Sequence, residues 1–343
     1  MDRIITEKLH SRHSDFQKEL KPDIIGNNVN LNIGVTNRCN CDCIFCFSQE
    51  QPQVRKSIDL NLAKRLLEEG IQMGITEFNP YGNYGDPFLC NDIFEIVSYA
   101  KQLGYKYIFT NTNGILLNKD YAQKAIDAGF DSIRISVNAG TAETYSKIHG
   151  VKPSVFNDVL ENLKYLDEYR KKANKNLILS VSFVMIDYNK NEIQLLKELV
   201  SPYIDDFLVF TLMNPRYAFL DMDLLQKQEV MLGCAKKDIK GCNRIFNSIY
   251  VNQEGFMTTC ALDEGGYGAI EDVNNKSLKE AWNGNKFQAV RLKHINNDLA
   301  GFVCGNCLNC EHKKIKGFYQ EYSHLEGNLS YSLREKAIER KLL

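Results

Sequence analysis

The chain has 343 residues, which predicts one large domain or a large domain joined to a smaller one. Its formal net charge of −1 excludes the strongly basic surface that binds nucleic acid or an acidic membrane. Residues 1–8 lack the apolar core of a signal peptide, and no run of about 18 apolar residues suggests a membrane span. We therefore expect a cytoplasmic protein whose eleven cysteines serve metal or redox chemistry rather than disulfides.

After a polar N-terminal extension (1–29), a strand is predicted over Asn30–Thr36. It leads into four cysteines within eight residues, Cys39, Cys41, Cys43 and Cys46. Without Cys41, their spacing is Cys-x3-Cys-x2-Cys. Three thiolates on one loop hold three irons of a [4Fe–4S] cluster and leave the fourth iron open, whereas most electron-transfer clusters have four cysteine ligands. A zinc loop is the alternative, although zinc usually takes four nitrogen or sulfur ligands.

The chain then alternates between predicted helices and strands. Helices are predicted over 59–73, 92–103, 119–128, 155–170 and 192–200, and strands over 76–81, 106–110, 132–137, 177–186 and 206–212. Strands separated by helices predict a parallel sheet with right-handed crossovers. Six β/α units are too few for a closed eight-stranded barrel. An α/β fold is therefore expected, and the count alone leaves two architectures open, a partial (β/α)6 TIM-like barrel and a doubly wound open sheet.

Unusual residues gather where these strands end, which is where parallel α/β folds place their sites. The second strand runs into Tyr84-Gly85-Asp86-Pro87, and the third into the turn Thr112-Asn113-Gly114. Ser136 and Asn138 end the fourth strand and point to the same face. Met213 follows the sixth strand, where an apolar residue is also consistent with ordinary core packing.

These motifs together resemble the radical S-adenosylmethionine (SAM) superfamily. The resemblance implies that the six β/α units form the partial (β/α)6 TIM-like barrel of that family. The resemblance implies that Cys39, Cys43 and Cys46 hold a [4Fe–4S] cluster, whose open iron binds the amino and carboxylate groups of SAM. Reduction then cleaves SAM to a 5′-deoxyadenosyl radical. Cys41 is extra to the motif and is interpreted as a non-ligand. The residues that the resemblance implies for SAM binding are Phe45, Gly85, Asp86, Pro87, Asn113, Ser136, Asn138 and Met213.

The second-strand turn departs from the family pattern at two positions. The family has a Gly-Gly-Glu-Pro-like turn there, and this chain has Tyr84 in place of a glycine and Asp86 in place of the glutamate. The negative charge is kept, but the individual contact through Asp86 is less secure.

From about Asp221 the β/α alternation stops. A helix over 224–235, a hairpin over 248–252 and 256–260, and a helix over 275–283 capped by Ser277 and Glu280 are predicted. Residues 330–343 suggest a further helix. The cysteines of this part are Cys242, Cys260, Cys304, Cys307 and Cys310.

Four such thiols make a complete site for an iron–sulfur cluster or for zinc. The layout resembles the SPASM/twitch extension of radical SAM enzymes, in the shorter form with one auxiliary [4Fe–4S] cluster. The ligands implied are Cys242 and Cys260 with two of Cys304, Cys307 and Cys310. We favour Cys304 and Cys307, and the choice stays open. The predicted domains are the radical SAM core (30–220) and the auxiliary-cluster domain with its C-terminal helix (221–343).

A fully ligated auxiliary cluster has an electron to pass rather than a substrate to bind. The favoured function is therefore oxidation of a small molecule such as a sugar alcohol, as in the twitch dehydrogenases of aminoglycoside assembly. The expected partners are the small-molecule or peptide substrate and an external reductant such as flavodoxin or ferredoxin. Asp263 and Glu264 follow Cys260 and are candidates for proton transfer. The alternatives are a redox-neutral epimerase, a peptide-modifying maturase and a zinc-stapled binding protein. The six histidines form no metal-spaced pair and are interpreted as surface or structural residues.

Overall fold

The structure is a computed structural model, and it describes residues 29–46, 54–211, 241–261, 266–309, 315–325 and 339–341. Its strands are β1 (Asn30–Thr36), β2 (Glu77–Gly82), β3 (Tyr107–Thr112), β4 (Ser132–Ser136), β5 (Ile178–Met185), β6 (Asp206–Thr211), β7 (Ser248–Val251), β8 (Phe256–Thr258) and β9 (Ala269–Asp272). Its α-helices are α1 (Leu60–Gln72), α2 (Ile93–Leu103), α3 (Lys119–Ala128), α4 (Ala142–His149), α5 (Ser154–Lys172), α6 (Ile193–Val200), α7 (Arg244–Asn247), α8 (Leu278–Asn283), α9 (Asn285–Ile295) and α10 (Val303–Asn309).

The strands of the described residues form one sheet in the order β6-β5-β4-β3-β2-β1-β7-β8-β9. Strands β1 to β6 are parallel and follow one another without a change of direction in the order, and α1, α2, α3 and α5 contact one another in succession. A doubly wound sheet would reverse its strand order at a switch point. The partial (β/α)6 barrel is therefore confirmed, and the doubly wound alternative is excluded.

Local signals account for most of the helix ends. The side chain of Asp59 caps α1 by accepting a hydrogen bond from Leu62 N at 2.9 Å. Gly104 and Gly129 end α2 and α3 in the left-handed region. Ser277 and Glu280 form the predicted capping box of α8. Helices α1, α2 and α3 lie within one residue of their predicted bounds, and α8 begins three residues later than predicted.

The two faces of the barrel sheet differ in polarity. Ile133 and Ile135 of β4 belong to the hydrophobic core beneath the helices, so Arg134 and Ser136 lie on the opposite face. The same alternation holds in the neighbouring strands. The opposite, inner face therefore carries polar side chains along β1 to β5, among them Asn32, Asn79, Asn111, Ser136, Ser180 and Ser182.

The second part of the chain extends the same sheet. Strand β7 pairs in parallel with β1, and β8 and β9 continue it as antiparallel strands. Helix α8 packs on α1, where Leu278 N donates to the Glu69 carboxylate at 2.5 Å. The predicted hairpin is confirmed as β7 and β8. The helices predicted over 224–235 and 330–343 lie wholly or mostly outside the described residues.

Five of these elements escaped prediction: α4, α7, β9, α9 and α10. The sequence carries local signals for both ends of helix α4. Thr141 Oγ1 caps it by accepting from Thr144 N at 3.3 Å, and Gly150 ends it at φ 66°. This omission matters because α4 carries residues of the site.

Candidate active site and auxiliary thiol site

The first cysteine segment follows β1, and α4 holds its backbone in place. Asp42 N donates to His149 O at 2.9 Å, and Ile44 N donates to Ile148 O at 2.8 Å. From the far end of the chain, Arg340 Nη1 donates to Asp42 O at 2.5 Å, and its guanidinium pairs with the Asp42 carboxylate. The loop is therefore fixed from two sides.

The thiols of this loop differ in their tendency to ionise. The Cys41 thiol hydrogen-bonds to the sulfurs of Cys39 and Cys43, which lowers the pKa of both and raises the pKa of Cys41. Cys41 is also buried, at 2% exposure. Iron ligands must be thiolates. This arrangement fits Cys39 and Cys43 as ligands and Cys41 as the neighbour that keeps its proton. Cys46 completes the set, since its N–H donates to Cys43 O at 3.0 Å and keeps it on the same turn.

His149 lies directly against this loop. Its Nδ1 is 3.4 Å from Cys43 Sγ, and its Nε2 is 2.8 Å from the carbonyl oxygen of Val137. The ring stacks on Tyr145 with the centroids 4.2 Å apart. The candidate ligand atoms of Cys41, Cys43 and His149 lie within 4.8 Å of one another. His149 was interpreted as surface or structural, and its burial excludes the surface reading.

The turn after β2 is bonded to the chain just before Cys39. Asp86 N donates to Arg38 O at 2.7 Å, and a Cβ atom at Gly85 would lie 2.4 Å from the same oxygen. Only glycine fits this approach. Tyr84 has φ 59°, so it occupies the left-handed region that a glycine of the family motif would fill without strain. This conformation costs a residue with a side chain about 1–2 kcal/mol.

The Asp86 carboxylate is 2% exposed and is used within the protein. Its Oδ2 accepts from Thr112 Oγ1 and from Asn113 N, both at 2.7 Å, and its Oδ1 accepts from Phe88 N at 3.1 Å. Burial raises the pKa of Asp86, and these donors act in the opposite direction. The side chain thus joins the second-strand turn to the end of β3.

Asn113 connects this junction to the cysteine loop. Its Nδ2 donates to Asn40 Oδ1 at 2.7 Å and lies 3.9 Å from Cys39 Sγ. Pro87 is buried at the start of a short 3-10 helix (Pro87–Leu89), and Phe45 is half-buried beside Cys46. The structure therefore brings the predicted residues of the first three strand ends together around one loop.

Ser136 and Asn138 lie at the next strand end. Ser136 Oγ is 3.2 Å from Ser182 Oγ on β5. Asn138 is buried, its Oδ1 accepts from Val184 N at 2.7 Å, and its Nδ2 lies 3.3 Å from His149 Nε2. Met213, Asp263, Glu264 and Cys310 lie outside the described residues.

The second thiol site is assembled from separate elements. Cys242 precedes α7, Cys260 follows β8, and Cys304 and Cys307 share one face of α10 at a spacing of three residues. Desolvation, followed by the negative charges of the Cys260, Cys242 and Cys307 thiolates, raises the pKa of Cys304 well above its usual range. The neighbouring thiols thus oppose the ionisation of Cys304, and such a grouping suits a metal centre, because bound metal deprotonates its thiol ligands. The donor set therefore fits a four-cysteine cluster.

A buried histidine supports this second site. Cys242 N donates to His294 Nδ1 at 3.1 Å. Burial lowers the pKa of His294 to about 4, so the ring is neutral at pH 7 and its Nδ1 accepts the bond. No feature of the sequence near either residue indicated this contact, which joins positions 52 residues apart.

The fold and the two thiol sites define a cluster-binding enzyme with a partial barrel. The model of the radical SAM superfamily matches residues 33–200, and that of an iron–sulfur cluster-binding domain, SPASM, matches residues 242–311. The chain belongs to the radical SAM superfamily and carries a SPASM domain. Its cofactors are SAM, the [4Fe–4S] cluster that binds SAM, and an auxiliary [4Fe–4S] cluster. No helix within the described parts of the chain is long and apolar enough to cross a membrane.

Individual proteins resemble the chain over most of its length. A probable GTP 3′,8-cyclase of Saccharolobus solfataricus is 27% identical over 306 residues, which cover 78% of this chain and 95% of that protein. The solved structure of anSMEcpe with bound AdoMet (SAM) has a TM-score of 0.58 at 15% identity and covers 92% of this chain and 98% of its own. BtrN in complex with AdoMet and 2-DOIA has a TM-score of 0.53 at 15% identity, covering 84% and 97%. The two structures share the fold.

Proposed function

We propose that this radical SAM enzyme is an oxidoreductase that removes hydrogen from a small polar molecule, such as a sugar alcohol. The observation that carries the proposal is the set of four thiols at the auxiliary site, Cys242, Cys260, Cys304 and Cys307. A cluster held by four cysteines has no iron open to substrate. Electron transfer is the role that such a cluster can fill, and an electron leaves the substrate when the reaction is an oxidation.

In this proposal Cys39, Cys43 and Cys46 hold the SAM-binding cluster. Phe45, the turn Gly85–Pro87, Asn113 and the fourth strand end surround SAM. Asp86 acts indirectly, because its buried carboxylate orients Asn113 and the backbone of the turn. His149 fixes the loop through its backbone and lies against Cys43.

When bound, SAM and its cluster supply a 5′-deoxyadenosyl radical, and the auxiliary cluster supplies an electron acceptor. An alcohol oxidised in this way would give up one hydrogen atom, one proton and one electron, so that its C–OH group would become C=O. Asp263 and Glu264 remain the candidate bases, and an external donor such as flavodoxin or ferredoxin provides the reducing electron.

The polarity of the inner barrel face supports a polar substrate. The interior of a complete eight-stranded barrel is filled mainly by branched apolar side chains. Here amides and hydroxyls line the inner face, Asn111 is exposed within it, and Asn79 Oδ1 is buried without a hydrogen-bond partner. Such a surface favours a ligand that exchanges hydrogen bonds with it.

A second candidate is a redox-neutral reaction. It rests on the likeness to the probable GTP 3′,8-cyclase, which extends over nearly all of that protein. A cyclisation within one molecule removes no net electrons from the substrate, so the auxiliary site would then have a role other than electron uptake.

The test is the mass of the product under anaerobic conditions with SAM and a reductant. Small-molecule extracts and pure GTP are supplied in separate arms. The proposal expects 5′-deoxyadenosine together with a product lighter than its substrate by two hydrogen atoms. Conversion of GTP to a product of unchanged mass would overturn the oxidation and establish the second candidate.

A further inference from the structure

One basic residue, Arg134, lies within the six parallel strands of the barrel, and it is on their inner face. It occupies one register row that crosses four strands, where Asn111, Arg134, Ser180 and Asp206 are successive partners. The row therefore brings one cation, one anion, one amide and one hydroxyl to the same depth of the barrel.

The surroundings of Arg134 confirm that it faces the enclosed side of the sheet. Its guanidinium carbon lies 5.6 Å from the ring centre of Phe210 on β6, although β5 separates the two strands in the sheet. It also interacts electrostatically with Tyr107 on β3 and with Asp206 on β6. Residues of β3, β4 and β6 meet in this way only on the concave face of a curved sheet.

The described residues do not satisfy the charges in this row. Among the described residues, the Arg134 side chain makes no hydrogen bond, and its Nε is buried without a partner. The Asp206 carboxylate, whose Oδ2 is also buried, likewise accepts none, and it forms no ion pair with Arg134. A buried charge that lacks hydrogen bonds is costly, and a ligand that supplies them recovers that cost.

The depth of Arg134 suits a substrate beneath SAM. Arg134 precedes Ser136 by two residues, which is about 7 Å along a strand. Ser136 lies at the strand end, where the SAM site is proposed. A molecule held between the two would have one end near the radical and the other at the guanidinium.

We propose that Arg134 binds an anionic group of the substrate, a carboxylate or a phosphate, inside the barrel. The planar guanidinium matches the oxygens of either group with two parallel hydrogen bonds. Asp206, across the row, accepts hydrogen bonds from hydroxyl or amino groups of the same molecule. This inference rests on the proposed function, because it presupposes a small-molecule substrate in the barrel.

The test uses the reconstituted holoenzyme with SAM and reductant. A small-molecule cell extract is separated on an anion-exchange column at neutral pH, and each fraction is assayed for 5′-deoxyadenosine above the substrate-free rate. We expect stimulation by the retained, anionic fraction. Phosphatase treatment of that fraction distinguishes the two anions, since it abolishes the stimulation by a phosphate ester and leaves that of a carboxylate.

The Arg134→Gln variant should need about 10- to 100-fold more of the active fraction for half-maximal stimulation, because charged hydrogen bonds are lost. Arg134→Lys should fall between the two, since it keeps the charge without the planar geometry. Lys106→Gln is the matched control. It removes an exposed positive charge just before β3, outside the inner face. Iron content and melting temperature establish that each variant is folded.

The outcomes separate the two proposals. Stimulation by the unretained fraction, or an Arg134→Gln variant that responds like the wild type, overturns the role of Arg134 and leaves the oxidation of a small molecule intact. If no fraction stimulates an enzyme that still cleaves SAM slowly by itself, the small-molecule substrate is wrong, and the inference about Arg134 falls with it.

Discussion

The first thiol site occupies eight consecutive residues, Cys39–Cys46, whereas the second draws its cysteines from three elements between Cys242 and Cys307. The first loop is held by backbone bonds to α4 and by Arg340. The second site forms when β8, α10 and the segment before α7 pack together. The cluster that must leave one iron open takes its ligands from a single short loop. The closed four-cysteine site takes its ligands from several packed elements, as a hydrophobic core does.

The largest expected effect concerns the thiols of the first loop, which should differ in how their replacement affects activity. Replacing Cys39, Cys43 and Cys46 by alanine should abolish 5′-deoxyadenosine formation, because the SAM-binding cluster loses all its protein ligands. Cys41→Ala is the matched control within the loop and should retain the cluster and at least about a fifth of the activity, the loss of one buried thiol costing under about 1 kcal/mol. Loss of the cluster in Cys41→Ala, measured as iron per chain, would contradict the assignment.

At the second site, the double substitution Cys242→Ala and Cys260→Ala should uncouple the reaction. SAM would still be cleaved at the intact first site, so 5′-deoxyadenosine continues to form, while the oxidised product falls to background. Cys90→Ala serves as a control, since Cys90 is a buried thiol of the hydrophobic core. Oxidised product at the wild-type ratio to 5′-deoxyadenosine in the double variant would exclude electron transfer through this site.

Asp86→Asn tests the junction that supports the first site. The amide has one acceptor oxygen where the carboxylate has two, and its NH2 group would face a buried donor. A mismatch of this kind costs about 1–3 kcal/mol, so we expect SAM affinity to fall about tenfold in equilibrium dialysis. Asp92→Asn provides the comparison, because Asp92 makes no side-chain cap bond to α2. Equal affinities in the two variants would show that the Asp86 carboxylate does not organise the SAM site.

Arg340→Ala should loosen the first loop without changing the second site. The guanidinium bonds to Asp42 O and pairs with its carboxylate at a partly buried position, an interaction worth about 0.5–1 kcal/mol. We expect iron release from the first site to a chelator to accelerate about threefold. The neighbouring Lys341→Ala should match the wild type, since Lys341 is exposed. Equal release rates in both variants would show that Arg340 does not hold the first loop in place.

The smallest effect on activity is expected at His294 beside Cys242, where the change is in how stability depends on pH. Burial lowers its pKa to about 4, below the value of about 6.5 expected in the unfolded chain. Between pH 8 and pH 5.5 the unfolded state gains a proton that the folded state does not, so stability falls by about 1.5 kcal/mol as the pH decreases. His294→Gln should show a drop in melting temperature about 2 °C smaller over this range. The exposed His324→Gln should not, and an unchanged drop in His294→Gln would contradict the buried neutral ring.

The parts of the molecule that were predictable are those with local signals. Asp59, Gly104, Gly129 and the Ser277–Glu280 pair mark helix ends, because capping depends on neighbouring residues alone. The cluster-binding loop could be predicted for the same reason, since its cysteines lie within eight residues. Alternation of strands and helices was sufficient to predict the parallel sheet, since parallel strands need helical crossovers, whereas the choice of a partial barrel rested on the family resemblance.

The rest depends on contacts between distant residues. His149 meets Cys43 across 106 positions, and His294 meets Cys242 across 52. The placement of Arg134 and Asp206 in one row depends on the register of two strand pairs. Helix α4 is a different case, since the sequence carries local signals for both of its ends, the Thr141 cap and Gly150.

The central claim is that the protein carries two separate clusters, one on each thiol site. The most direct test is iron and acid-labile sulfide per chain after anaerobic purification of the wild type, of the Cys39, Cys43 and Cys46 triple variant, and of the Cys242 and Cys260 double variant. We expect two [4Fe–4S] clusters per chain in the wild type and one in each variant. A wild type with a single cluster, which disappears in the triple variant and is unchanged in the double variant, would contradict it.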